Sequence, residues 1–262
     1  AAGAVFVDNS SAFRLDPDVP LVVPEINAED AYTQKKGIIA NPNCSTIITL
    51  MALAPIARIS SIETIVASTY QAVSGAGANG LTELEAQAQA YPKGEPLTAN
   101  AFPHQILFNL LPRIGGIGEN GYSSEEMKLQ NEGRKILHLP ELRVTCTCVR
   151  VPVMRSHSIS ATFTTKRPVS VEEARAAIAA AEGVQLVDNP NNDVYPMPLD
   201  TSDQDDVFVG RIRREDLALE PLARAALVQG HEQVHHEGSH HDDEGHGRHL
   251  SRVGAGDQLL HS

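Results

Sequence analysis

Tryptophan is absent from this 262-residue sequence and aromatic residues make up only 4%, yet hydrophobic residues reach 42%, enough for a sizeable core. Basic residues are also scarce: 21 Lys and Arg stand against 33 Asp and Glu, a formal net charge of -12. Such an acidic chain is not expected to bind nucleic acid. No apolar run approaches the ~20 residues of a membrane span, and residues 1–7 lack the basic start of a signal peptide.

Cysteine is rare, and the three residues present cannot all pair. Cys146 and Cys148 stand two apart in a β-rich run, so they share one strand face and a strained bridge between them is not expected. No second cysteine pair exists to complete a zinc site, so we predict no metal. We interpret both as core residues of a protein from the reducing cytoplasm.

The order of apolar runs and turns predicts a fold between α/β and α+β. Continuous runs at residues 5–7, 21–23 and 37–40 are typical of strands covered on both faces. Longer strands are expected at 63–73, 143–153 and 158–165, the last two paired with each other. Helices are expected at 44–54, 81–90, 123–137 and 171–181, the third opened by a capping box.

One cysteine stands where a helix begins. Asn43 is the expected N-cap of the apolar helix at 44–54, which places Cys44 in the first turn. Unpaired backbone N–H groups and the positive end of the helix dipole stabilise an anion there. A thiol so placed can titrate well below the free value of ~8.5, which makes Cys44 a candidate nucleophile. By position alone, a buried structural cysteine is the commoner outcome.

A nucleophilic cysteine needs a base, and His157 is the candidate. Two strands flank the turn before it, so we expect His157 to project from a rim into a cleft. Arg150, seven residues earlier at the end of an apolar strand, needs an anionic partner, and its planar fork suits a carboxylate. Taken alone, these residues would more often be an exposed turn histidine and a surface arginine.

Five ordered segments together resemble the aspartate-semialdehyde dehydrogenase family in its bacterial form. They are residues 7–14 (VDNSSAFR), 41–46 (NPNCST), 68–77 (STYQAVSGAG), 120–128 (NGYSSEEMK) and 150–157 (RVPVMRSH). The resemblance covers roughly residues 1–213. It implies a remnant of a Rossmann-like nucleotide domain followed by a mixed-sheet domain for substrate binding and dimerisation.

The resemblance also implies a reaction. Cys44 would attack the aldehyde carbon of L-aspartate 4-semialdehyde, His157 would take the thiol proton as general acid and base, and Gln71 would orient the substrate. Hydride would pass to NADP, and inorganic phosphate would cleave the thioacyl-enzyme to L-4-aspartyl phosphate. The implied setting is lysine, threonine and methionine biosynthesis, in a homodimer or dimer of dimers.

The remaining implied roles concern binding. Arg150 would hold the substrate carboxylate and Glu126 its amino group, while Arg14 and Lys128 would cradle the phosphate. The G-x-G-x-x-G run at 75–80 follows a strand and precedes a helix, but no acidic residue lies ~20 positions on, so a Rossmann fingerprint is weak. Because this turn lies near the nicotinamide in the family, Ser74 and Gly75 are the candidate cofactor contacts.

The sequence departs from the family at both ends. We divide it into a nucleotide-domain remnant at 1–43, a catalytic and dimerisation domain at 44–213, and a divergent tail at 214–262. The tail holds eight of the eleven histidines between residues 231 and 262 and is expected to lack regular structure. Family members begin with a complete βαβ nucleotide-binding unit, so we expect this chain alone to bind NADP weakly and not to turn over.

Two other functions fit the same residues. One is an N-acetyl-glutamyl-phosphate reductase, which would use the same cysteine chemistry on a longer acylated substrate. The other is a non-catalytic dimerisation module whose site residues are relics. The aldehyde that is accepted would separate the first from the main hypothesis, and the reactivity of Cys44 would separate the second.

Overall fold

The computed structural model describes residues 3–215 and, by backbone alone, residues 225–230. Near its start, strands β1 (Phe6–Asp8) and β2 (Ile38–Ala40) form a small parallel sheet. The run at 21–23 makes only one bridge to β2, between Leu21 and Ala40. The side chain of Asn27 holds the rest of the run, since its Oδ1 accepts a hydrogen bond from Val23 N and its Nδ2 donates to Leu21 O. Helix α1 (Pro24–Asn27) follows it directly.

Six strands form the second, mixed sheet, in the spatial order β4-β3-β5-β8-β7-β6. They are β3 (Ile62–Gln71), β4 (Arg143–Arg150), β5 (His157–Thr165), β6 (Val184–Leu186), β7 (Val207–Arg213) and β8 (Ala225–Gly230). Strand β3 runs parallel to β4 and antiparallel to β5. The predicted pairing of β4 with β5 is therefore wrong, because β3 lies between them and hydrogen-bonds to both.

The last strand lies in the segment where no regular structure was expected. Strand β8 enters between β5 and β7 and is antiparallel to both. The expectation for 214–262 is therefore wrong at 225–230, where the apolar run Ala-Ala-Leu-Val suits a strand with a partner on each side. The His-rich part of the tail lies outside the described residues.

Five helices accompany this sheet: α2 (Cys44–Ala57), α3 (Gly77–Ala90), α4 (Ser124–Ile136), α5 (Val171–Ala179) and α6 (Pro198–Thr201). Helix α2 packs on the sheet and against α4 and α5. It is apolar almost all round and almost wholly buried, as expected of a central helix. Helix α4 has the predicted capping box, in which the side chains of Ser123 and Glu126 each accept a hydrogen bond from the backbone N–H of the other residue. In the described part of the chain, no helix has both the length and the apolarity to cross a membrane.

The two faces of the sheet differ. The inner face carries Cys146, Cys148 and Phe163, all buried in the main hydrophobic cluster, so the prediction that both cysteines are core residues is confirmed. The outer face exposes Val66 and Tyr70 of β3. Because β3 and β4 are parallel and β5 runs the opposite way, the ends of β3 and β4 and the start of β5 share one edge.

Candidate active site

The first turn of α2 presents Cys44 to a cleft of about 810 Å³. Asn43 is the N-cap, as predicted, and its Oδ1 accepts a hydrogen bond from Thr46 N at 3.3 Å. The Cys44 side chain is only partly buried, whereas its helical neighbours Ser45 and Thr46 are buried. The nucleophile candidate therefore lies at the positive end of the most buried helix, with access to the cleft.

Six of the nine residues predicted for the site line this cleft. They are Arg14, Cys44, Gln71, Gly75, Lys128 and Arg150. The other three, Ser74, Glu126 and His157, do not border it. The elements that supply the six are far apart in sequence, so the fold assembles the site that the sequence only suggested.

The shared edge of the sheet brings Gln71, Arg150 and His157 together. Gln71 and Arg150 end β3 and β4 as register partners, and His157 begins β5. The guanidinium of Arg150 donates to Ala72 O at 2.6 Å and lies 6.0 Å over the ring of Phe102. Arg150 lines the cleft, and the planar fork of its guanidinium suits a carboxylate there.

His157 lies deeper than expected. It is 0% exposed rather than projecting from a rim, because β3 and the following turn cover the start of β5. Its Nδ1 accepts a hydrogen bond from Ala72 N at 3.0 Å. A neutral imidazole that accepts at Nδ1 carries its proton on Nε2, so in this state Nε2 donates a hydrogen bond and cannot accept a proton. The predicted transfer of the thiol proton to His157 does not fit this state of the ring.

Gly75 lies in the wall of the cleft, directly against Arg150 and His157. A Cβ at this position would lie 2.6 Å from Arg150 Nη1 and 3.2 Å from His157 Nε2, so a side chain there would push against both groups. We expect Gly75→Ala to displace the guanidinium and to cost about 1–3 kcal/mol of stability through overpacking. Thermal unfolding measures this. The matched Gly116→Ala, where no atom lies within 4 Å, should leave the midpoint unchanged, and equal effects would contradict the account.

Helix α4 turns a stripe of charged residues towards the site: Glu125, Lys128, Glu132 and Lys135, at helical spacing. Glu125 Oε1 accepts from Asn43 Nδ2 at 3.0 Å and from Gln71 Nε2 at 3.1 Å, and Oε2 pairs with Lys128 at 2.8 Å. One carboxylate thus connects the cap of the cysteine helix to the end of β3.

Burial raises the pKa of Glu125, but the charge and hydrogen bond of Lys128, together with Asn43 and Gln71, outweigh burial and leave the pKa lowered. Its ionised form therefore stabilises the fold above the ordinary pKa of 4.5, and this contribution disappears as pH falls through the lowered value. We expect Glu125→Gln to lose about 1–3 kcal/mol at neutral pH.

The loss from Glu125→Gln should shrink as the pH falls from 4.5 through the lowered pKa of Glu125, because the original side chain then becomes protonated too. Urea unfolding of both proteins at pH 7 and at a series of pH values below 4.5 measures the change. Glu85→Gln, at an exposed position of α3, is the matched control and should change stability little at any of these pH values. A stability difference between Glu125→Gln and the unaltered protein that stays constant over the series would contradict the lowered pKa.

The site places Glu125 where Glu126 was expected. Both oxygens of Glu126 accept from backbone amides, Oε2 from Ser123 N at 2.6 Å and Oε1 from Cys148 N at 3.0 Å. Its carboxylate serves the capping box and the β4 strand, so the expected hold on a substrate amino group does not fit this geometry. The neighbouring Glu125 lines the cleft instead.

Glu132 was not predicted, and it joins the phosphate candidate Arg14 to the cysteine helix. Its Oε2 accepts from Asn43 N at 2.7 Å, and Oε1 pairs with Arg14 Nη1 at 3.4 Å. Burial raises the pKa of Glu132 although both partners oppose the shift. Arg14 also donates to the carbonyls of Asn9 and Asn41, at 3.0 and 2.8 Å, which leaves two of its five N–H groups for a ligand.

Lys135 was also not predicted, and it holds the segment that carries Arg14. Its ammonium donates to the carbonyls of Arg14, Asp16 and Val19 at 2.9, 2.7 and 2.6 Å. Burial lowers the pKa of Lys135. The 3-4-3 spacing of charges along α4 was visible in the sequence and could have identified both Glu132 and Lys135 as residues facing the site.

Comparison with known proteins agrees with this architecture. The family model described as semialdehyde dehydrogenase, dimerisation domain, matches residues 53–225, and the corresponding NAD binding domain matches residues 1–34. The aspartate-semialdehyde dehydrogenase of Aquifex aeolicus is 52% identical over 221 residues, which are 84% of this chain and 65% of that protein. The chain belongs to the aspartate-semialdehyde dehydrogenase family. The match at 1–34 agrees with a nucleotide-domain segment at the start of the chain, and the predicted bounds 1–43, 44–213 and 214–262 stay predictions.

Solved structures of aspartate-semialdehyde dehydrogenases show the same fold. Aspartate semialdehyde dehydrogenase II from Vibrio cholerae, solved in complex with ASA, has a TM-score of 0.83 and 39% identity. The match covers 87% of this chain and 67% of that one. The enzyme from Candida albicans, solved with NADP, has a TM-score of 0.65 and 27% identity, with 87% and 66% covered. The α/β fold of the family is therefore shown for this chain.

The match to the family is partial in length. The chain spans 62–65% of the length of the first three curated aspartate-semialdehyde dehydrogenases that it matches. Gln71, Glu125, Arg150 and His157 fall within the range of the dimerisation-domain model, and Cys44 falls between the two matched ranges. What the complete family members do is therefore carried to this chain only as a proposal.

Proposed function

We propose that this chain carries the catalytic site that interconverts L-aspartate 4-semialdehyde and L-4-aspartyl phosphate through a thioacyl intermediate on Cys44. The observation that carries the proposal is the cleft itself, in which Cys44 at the start of α2 shares a wall with Gln71 and Arg150. The Vibrio cholerae relative solved with ASA supports this choice of substrate. The implied setting remains lysine, threonine and methionine biosynthesis.

In the oxidative direction, Cys44 attacks first. Its thiolate sulfur forms a bond to the aldehyde carbon, the carbonyl electron pair moves to oxygen, and Nε2–H of His157 donates a hydrogen bond to the resulting hemithioacetal oxyanion. When NADP is bound, it supplies the hydride acceptor. The electron pair of the oxyanion would then re-form the C=O bond as hydride leaves the carbon, which would give the thioester on Cys44. A phosphate oxygen finally attacks the thioester carbon and releases the Cys44 thiolate.

The charges around the cleft suit the rest of the substrate. Arg150 lines the cleft and its planar guanidinium suits the α-carboxylate, while ionised Glu125 replaces Glu126 as the partner of the amino group. Arg14 and Lys128 remain the phosphate ligands in this proposal. Because Lys128 is paired with Glu125 here, an incoming phosphate would compete with that carboxylate for the ammonium.

The two cofactor candidates differ in fit. The backbone of Gly75 borders the cleft without a side chain, so a flat nicotinamide could approach the sheet edge there. Ser74 is 3% exposed and does not line the cleft, so a direct contact between its side chain and the cofactor does not fit this geometry. NADP rather than NAD stays our choice, supported by the Candida albicans relative solved with NADP.

The exposed outer face of the sheet supports a proposed homodimer, or a dimer of dimers. Val66 is 52% and Tyr70 42% exposed there, in the range matched by the dimerisation-domain model. Sedimentation equilibrium of the chain and of Val66→Asp tests this proposal. Self-association that is weakened by the substitution supports it, and a monomer at all concentrations would overturn it.

The first reaction step provides the test of function, because it needs neither NADP nor phosphate. We expect L-aspartate 4-semialdehyde to protect Cys44 from iodoacetamide in a saturable manner, as read by mass spectrometry of the Cys44 peptide. N-acetyl-glutamate 5-semialdehyde should protect far less. Equal protection by the two aldehydes would favour the alternative reductase, and protection by neither would overturn the proposed function.

A turnover assay follows the complete reaction in a fusion of this chain with the part of the Aquifex aeolicus relative that it does not cover, because this chain alone is expected to bind NADP weakly and not to turn over. Phosphate-dependent reduction of NADP, in the presence of L-aspartate 4-semialdehyde, measures whether hydride transfer and acyl transfer both occur. We also expect NADPH formation to stop at one equivalent per site when phosphate is omitted. Continued formation without phosphate would show that water, not phosphate, cleaves the thioester.

A further inference from the structure

The side-chain amide of Gln71 is held in one orientation by its two neighbours. The hydroxyl of Thr69 donates to Gln71 Oε1 at 3.0 Å, and Gln71 Nε2 donates to Glu125 Oε1 at 3.1 Å. An ionised carboxylate only accepts hydrogen bonds, so the amide nitrogen must face Glu125 and the amide oxygen must face Thr69. The side chain of Gln71 is 1% exposed, so little solvent is available to replace either partner.

This orientation determines what Gln71 can offer a ligand. Gln71 lines the cleft, and its nitrogen has a second N–H beyond the one given to Glu125. Its oxygen is engaged by Thr69. A donor fixed beside the reacting carbon stabilises the negative charge that develops on a carbonyl oxygen during attack by sulfur.

We propose that Thr69 is a positioning residue, whose hydroxyl holds the Gln71 side chain so that Gln71 donates a hydrogen bond to the oxygen of the bound aldehyde. The proposal rests on the proposed function, since it concerns the same aldehyde. Thr69 is 0% exposed and does not line the cleft, so it acts through Gln71 and not on the substrate. The two residues lie on the same face of β3, two positions apart.

The test measures the concentration of L-aspartate 4-semialdehyde that half-protects Cys44 from iodoacetamide. Thr69→Val keeps the shape of the side chain and removes the donor, and we expect it to raise this concentration about fivefold to tenfold, the effect of one hydrogen bond. Thr69→Ser keeps the hydroxyl and should restore protection to within about twofold. Without aldehyde, the alkylation rate of Cys44 should be the same in all three proteins.

A double-mutant cycle separates positioning from a structural role. In a Gln71→Met background, Thr69→Val should have no further effect on half-protection, because its only route to the aldehyde is gone. Thr64→Val is the matched control, since it removes a threonine hydroxyl from the same strand that pairs with Thr164 and not with Gln71.

Each outcome of this cycle decides the proposal. The proposal would be overturned if Thr69→Val raised the half-protecting aldehyde concentration equally with Gln71 and with Met at position 71. It would also be overturned if Thr69→Val left this concentration unchanged with Gln71 present. An equal effect of Thr64→Val would show general loosening of β3 and would also overturn it. Failure of the aldehyde to protect the unaltered chain would instead overturn the proposed function, and the role of Thr69 with it.

Discussion

Replacing Cys44 by serine, in the fusion used for the turnover assay, should lower phosphate-dependent oxidation of L-aspartate 4-semialdehyde by about four orders of magnitude. The hydroxyl of serine occupies the same first turn of α2 but is far less acidic than a thiol, so the helix terminus cannot supply an alkoxide at neutral pH. The same substitution should abolish the covalent adduct with the aldehyde. NADPH formation and intact-protein mass spectrometry measure the two effects.

The control for Cys44→Ser is a second cysteine substitution. Cys146→Ala removes a buried thiol on the inner face of β4 and lies outside the cleft lining. It should lower stability and leave the rate per folded molecule within about twofold. A Cys44→Ser protein that kept a tenth or more of the rate would show that another group forms the bond to the aldehyde.

Replacing His157 by glutamine should lower the rate of the same reaction by about two to three orders of magnitude. When the glutamine side chain accepts the bond from Ala72 N, it no longer places an N–H where Nε2–H of the imidazole lay. The formation of the hemithioacetal oxyanion and hydride transfer should both slow, because both steps pass through the negative charge that Nε2–H stabilises. Single-turnover NADPH formation with saturating substrates measures the combined loss.

The matched control for His157→Gln is His138→Gln. His138 lies on the surface, where its side chain is 66% exposed and 3.0 Å from Asp30. Its replacement should leave the rate unchanged. The assignment of His157 would be overturned if the two glutamine substitutions had similar effects, or if His157→Gln lost only thermal stability while the rate per folded molecule stayed the same.

Local signals in the sequence identified the parts of the site that depend on neighbouring residues. Asn43 before an apolar helix placed Cys44 in the first turn, because capping and amphipathic spacing act over four or five residues. The capping box of α4 was equally local and equally readable. These features follow from backbone hydrogen bonding at helix ends, which the sequence specifies directly.

The position of Glu125 illustrates how a local signal can mislead. The capping box occupies the side chain at its third helical position, and that side chain is Glu126. A capping box at this position predicts that the backbone occupies the Glu126 carboxylate, which is then not available to bind a substrate. The next helical face, which carries Glu125, Lys128 and Glu132, was marked by charges three and four residues apart. The position of each carboxylate around the helix axis, and not the motif alone, determines which carboxylate reaches the cleft.

Long-range pairing was not readable from the sequence. The partners of β3 lie roughly eighty and one hundred residues further along the chain, and nothing in the strands themselves specifies that β3 separates β4 from β5. That arrangement puts Arg150 and His157 beside Gln71 and buries His157. The burial of His157 and its closeness to Gln71 therefore follow from the order of the strands in the sheet. Sequence motifs indicate that order only through their resemblance to a known family.

The rate at which iodoacetamide modifies each cysteine, measured from pH 5 to pH 9 by peptide mass spectrometry, tests most directly whether Cys44 is an activated nucleophile. We expect Cys44 to react faster than N-acetylcysteine at neutral pH and below, with a midpoint under the ~8.5 of an ordinary thiol. Cys146 and Cys148, buried in the core, should stay unmodified in the folded protein. A Cys44 that reacts no faster than N-acetylcysteine at any pH would contradict the account and favour a non-catalytic module.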